Sequence, residues 1–155
     1  MKRNILVNVH RGVGALAFVT IACFFSSTLI AELWGTPAQI TAVKTAILYI
    51  IPMLMLSMMA TGATGNKLYP NKGKGVMAAK QLRMKVAAMN GLLVMLPSAI
   101  YLYVKASSGV FDGYFWTVQG IELVGGALNL TMIGLNIRAG LSLKRKKKPA
   151  GAQPA

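Results

Sequence analysis

Four long apolar stretches, at residues 12–33, 45–64, 86–104 and 115–137, divide the chain. Each is close to the roughly 20 residues that a helix needs to cross a bilayer. Polar positions inside them recur at helical period. In the last stretch Gln119, Glu122, Gly126, Asn129, Ile133 and Asn136 follow at steps of three and four, which places them on one helix face. In the first, His10, Gly14, Ala17, Ile21, Phe25, Thr28 and Glu32 draw a second such stripe. A helix rising 1.5 Å per residue separates His10 from Glu32 by about 33 Å, so the two serve opposite ends. The pattern predicts an all-α membrane protein. Residues 1–143 form a four-transmembrane-helix bundle, and residues 144–155 form a basic, disordered tail.

Composition agrees with that reading. The chain is 55% hydrophobic and 13% charged, against about 25% charged in soluble domains. Its mean hydropathy is +0.55. The net charge of +14 arises from 17 basic residues and only three acidic ones, Glu32, Asp112 and Glu122. Such a balance in a soluble chain points to nucleic acid, but these cations sit between and after apolar spans, so no nucleic-acid partner is expected. Cys23 stands alone in an apolar run, which excludes an internal disulfide and a multi-cysteine metal site. Gly73-Lys74-Gly75 lacks the further glycine and the Ser or Thr of a phosphate-binding loop.

The basic residues also set an orientation. Fifteen of the 17 precede the first span, lie between the second and third, or follow the fourth; only Lys44 and Lys105 fall on the other side. Both termini are therefore expected in the cytoplasm, with the protein in a bacterial-type inner membrane. Lys2 and Arg3 precede the first span as in a signal peptide, but the run is too long and no small-residue cleavage site follows, so a retained helix is expected. Trp34, Tyr114, Phe115 and Trp116 fall at the predicted outer interface, where aromatic residues anchor spans. Pro52 and Pro97 are expected to kink the second and third helices.

Depth sorts the polar residues into two clusters. The outer one holds Glu32, Gln119 and Glu122, with Lys44, in the short outer loop at 35–44, as the nearest cation. Two carboxylates at one depth inside lipid are how proton-coupled sites are built. The inner cluster holds His10, Arg11, Arg83, Asn90, Asn129, Asn136 and Arg138, with Met84 and Met89 at the same depth. One histidine cannot make a bis-histidine pair, so any haem b here would be five-coordinate, His/Met-ligated or shared with another subunit, its propionates held by the arginines.

The segment Ala31-Glu32-Leu33-Trp34-Gly35-Thr36 resembles the first-helix glutamate motif of small multidrug-resistance exporters, in which that carboxylate binds cationic drugs and protons. The resemblance covers six residues, and it departs from the exporters in placing Glu32 at the end of its helix. In size the chain is similar to four-helix membrane haem proteins of the protoporphyrinogen-oxidase type, whose additional histidines it lacks. Neither resemblance assigns a family.

No nucleophile-and-base pair or multi-ligand metal site is present in the pattern, whereas the polar seam is richer than packing alone requires. The expected function is that of a non-catalytic accessory subunit or assembly factor of a membrane complex, respiratory ones included, whose seam receives a helix, a quinone or a haem. Its expected partners are the bilayer and other membrane helices or further copies of itself. The alternative is a proton-coupled small-molecule transporter or channel using Glu122 and Glu32.

Overall fold

In the computed structural model residues 3–69 and 75–146 are described, and all the regular structure among them is helical. The first helix runs Arg3–Trp34, the second Pro37–Leu68, the third Val76–Ser107 and the fourth Gly113–Lys146. All four are long and apolar enough to cross a membrane. They extend past the apolar stretches at both ends, because a helix continues as long as its backbone bonds do, not only while its side chains are greasy. The tail expected at 144–155 thus begins as helix through Lys146, and its remainder lies outside the described residues, as does 70–74 of the inner connection.

Each helix packs on its neighbours in sequence, and the first closes on the fourth. Tight turns enforce this antiparallel order. Between the first two helices there are only Gly35 and Thr36. Gly35 N donates to Ala31 O at 2.8 Å, and a Cβ at residue 35 would lie 2.4 Å from that same oxygen, so only glycine fits the turn. Thr36 then starts the second helix: its Oγ1 accepts from Gln39 N and its own N–H donates to Gln39 Oε1, with Pro37 at the first helical position. Lys44 therefore lies two turns inside a helix and not in the loop expected at 35–44. Asp112 does the same work for the fourth helix. Its Oδ1 accepts from Phe115 N, and its Oδ2 takes a 2.6 Å bond from Lys105, which with the Phe115 bond holds the Asp112 carboxyl below its ordinary range.

Outward faces carry large apolar side chains, among them Trp34, Tyr49, Tyr114 and Val124, each more than 70% exposed. A surface of this kind suits hydrocarbon, not water. Phe115 departs from its expected interfacial position and is completely buried. Inside, two apolar clusters sit at different levels. Ala31, Ile40, Leu102, Ala106 and Phe115 close the end carrying the acidic residues. Ile21, Ala87 and Ile133, with Phe18 and Met58 against them, lie nearer the end carrying the basic ones.

The third helix is not uniform. From Gly91 to Met95 it widens into a π turn, and Leu96 N–H bonds to Gly91 O five residues back. Pro97 follows directly and supplies no N–H, so the widened turn is where this helix absorbs the missing donor. Pro52, by contrast, sits within a helix assigned as continuous from Pro37 to Leu68.

A buried ion triad as the candidate functional site

All six residues of the fourth-helix stripe are buried: Gln119, Glu122, Gly126, Asn129, Ile133 and Asn136. The partners of this seam are the chain's own helices. Asn90 Nδ2 donates to Gly125 O at 2.9 Å and to Asn129 Oδ1 at 3.0 Å, and Gly126 faces Phe25. Asn136 Nδ2 donates to Lys80 O at 3.0 Å. The seam is thus an internal ladder of alternating polar and apolar levels.

Its top level is ionic. Lys44 Nζ donates to Glu122 Oε2 at 2.6 Å and stands 3.2 Å from Glu32 Oε1, so three different helices meet at one ammonium. The Glu32 contact is within ion-pair distance but lacks hydrogen-bond alignment. Only 1% of the Lys44 side chain and 7% of each carboxylate side chain reach the surface. Ile40 and Phe115, one turn nearer the helix ends than Lys44 and Gln119, seal the level from above. A buried charge is tolerated when paired, and Lys44 provides the pairing for two acids at once.

The pairing is incomplete in a specific way. Two carboxylates against one ammonium leave one formal negative charge over in an interior of low dielectric. Hydrogen bonding is incomplete as well. Gln119, one turn before Glu122, is 2% exposed, yet neither its Oε1 nor its Nε2 has a hydrogen-bond partner among the described residues, and Glu32 Oε1 has only its ion-pair contact with Lys44. A buried amide without partners is rare enough to require a reason. Gln119 stands one helical turn from Glu122 on the same buried face of the fourth helix.

Sequence reasoning names Lys44 as the cation nearest this cluster but places it in a loop and not inside the bundle. Its signal was present: the Thr36–Gln39 capping box starts the helix early, and Ile40, Lys44, Ile47 and Ile51 then share one face at steps of four, three and four. A lysine in that stripe is buried by its neighbours' pattern.

The inner cluster is divided by the structure. His10 Nδ1 lies 2.9 Å from Thr64 Oγ1. That hydroxyl already donates to Ala60 O at 2.6 Å, so the imidazole supplies the proton in the first contact and only Nε2 remains open. Arg83 and Met84 are half-buried, Arg11 and Arg138 are exposed, and Met89 is 56% exposed on the outward face of its helix beside Lys85 and Leu93. His10 thus sits against the second helix, while Met89 faces outward from the third. Two open grooves beside the third helix are lined by other residues than His10. Comparison with family models, with curated proteins and with solved structures yields no match, so the chemistry of the triad is read from its own residues.

Proposed function

We propose that this chain is a multi-pass protein of a bacterial-type inner membrane, with both termini cytoplasmic, that couples proton binding at the Glu32–Lys44–Glu122 triad to the passage of a small cationic solute. One observation carries the reading: two sealed carboxylates share a single ammonium. With a proton on one acid the level is neutral and Lys44 holds the other. A cationic solute that enters the level takes over the proton's role and releases it, so proton and solute exchange on one charge. Gln119 supplies a neutral donor and acceptor to whichever species is present. Glu32, two residues from the helix end, is the triad acid nearer the outer face, and its passage to water is through the plug of Ile40 and Phe115.

The test is proton flux in proteoliposomes loaded with a pH-sensitive dye, under an imposed pH gradient, with tetraphenylphosphonium, choline and ammonium as probe solutes. The parent protein is expected to move protons faster when a probe is present. Glu122→Gln is expected to abolish the stimulation while helix content and elution volume stay unchanged. A parent protein that shows no stimulation by any of the probes, or a Glu122→Gln protein that matches the parent, would sink the proposal.

A second reading is favoured by the open groove lined by Asn90, Val94, Thr117, Gly120, Ile121 and Val124. There a small-residue surface on the fourth helix faces the π turn, which suits the close approach of another helix. In this reading the chain is an accessory subunit or assembly factor of a membrane complex, and the open Nε2 of His10 is the one nitrogen that a haem b could take.

A further inference from the structure

We propose that the basic end of the bundle holds a site for the phosphate headgroup of one anionic phospholipid, formed by Lys80 and Arg83 of the third helix and His10 of the first. The site rests on the membrane-spanning reading and is independent of proton coupling. Lys80, Arg83, Ala87 and Asn90 follow at steps of three, four and three, and the stripe they draw faces inward, since Ala87 is 1% exposed and Asn90 bonds to the fourth helix. Asn136 pins the start of this stripe by its bond to Lys80 O. Gly140 then leaves room for the ammonium: a Cβ at residue 140 would stand 3.3 Å from Lys80 Nζ. Gly65 likewise lets the second helix pass His10, whose Cε1 would be 3.4 Å from a Cβ at residue 65.

Lys80 and Arg83 are half-buried, and no described residue forms an ion pair with them. Nor does the sequence offer an acidic side chain, since Glu32, Asp112 and Glu122 all belong to the opposite end. The counter-charge must come from outside the chain. A phosphate oxyanion matches the donors: the guanidinium binds it through two parallel N–H groups and the ammonium as a point charge, with the His10 ring beside Lys80 lining the site. Phospholipid supplies that oxyanion at the depth where helices meet headgroups.

Native mass spectrometry of the full-length protein in mild detergent tests the site, with phosphatidylglycerol, phosphatidylcholine and inorganic phosphate as probes. One phosphatidylglycerol is expected to bind in preference to phosphatidylcholine. Lys80→Gln is expected to weaken it by about fivefold. Lys80→Arg keeps the binding, and Arg138→Gln, which alters an exposed cation, leaves it unchanged. Equal binding by Lys80→Gln and the parent would overturn the site. So would an equal loss in Arg138→Gln, which means diffuse attraction, or displacement of the lipid by inorganic phosphate, which means a free-anion site. Lys80→Arg keeps the inference falsifiable should Lys80→Gln fail to fold: its loss of binding overturns the site as well.

Discussion

Replacing Lys44 by methionine is expected to be among the most damaging single substitutions in the bundle, lowering stability by about 3–5 kcal/mol. The volume and the apolar stem are kept, so the loss measures charge. Without the ammonium, Glu32 and Glu122 lose the one cation that each contacts in a sealed level. Thermal unfolding in detergent reads the effect. Adding Glu122→Gln to Lys44→Met is expected to restore part of the stability, because the double variant carries one carboxylate in place of two. The cycle of single and double variants isolates the coupling between the two residues. Equal losses in the single and double variants would mean that Lys44 acts through packing. Lys105→Met, at a surface pair with Asp112, is expected to change little by comparison.

The second large effect is expected at Gly35. Alanine there puts Cβ 2.4 Å from Ala31 O, a backbone atom that cannot swing aside as a side chain end does. The helix end must open, the Gly35–Ala31 hydrogen bond is lost, and a cost of roughly 1–3 kcal/mol is expected from the forced shift. The consequence reaches the site. Glu32 lies three residues before this turn and Lys44 eight after its end at Thr36, so the two-residue connection sets the register of acid against ammonium. Gly35→Ala is therefore expected to depress the cation-stimulated proton flux along with the unfolding temperature. Gly62→Ala provides the contrast. Nothing lies within 4 Å of its Cβ position, and an alanine in mid-helix is favoured by about 0.5–1 kcal/mol over glycine. If both substitutions behaved alike, the steric account of the turn would fail.

How much of this is visible in the sequence depends on what kind of signal each feature leaves. The fourth-helix stripe is legible because periodicity alone places Gln119, Glu122, Asn129 and Asn136 on one face, and burial follows from the face. Depth also groups Glu32 with Glu122 correctly, since both lie near the same helix ends. Lys44 was harder. Hydropathy places a lysine outside a span, while the capping box that draws it inside depends on the reciprocal hydrogen bonds between Thr36 and Gln39. Phe115 was assigned to the interface by its neighbours Tyr114 and Trp116, although the seam periodicity, four residues before Gln119, points it inward. The π turn at Gly91–Met95 leaves only the proline as a trace, because a shift from four- to five-residue bonding carries no composition of its own. The tautomer of His10 is beyond sequence altogether. It follows from where the Thr64 hydroxyl sends its proton.

The central claim is that the Glu32–Lys44–Glu122 level holds one exchangeable proton. Infrared difference spectroscopy of the full-length protein in lipid tests it directly, through the C=O stretch that only a protonated carboxyl group shows. The account predicts one such band at neutral pH, lost when tetraphenylphosphonium is added and altered in Glu32→Gln and Glu122→Gln. A spectrum with no protonated carboxyl band, or a band that persists unchanged in both variants, would contradict it.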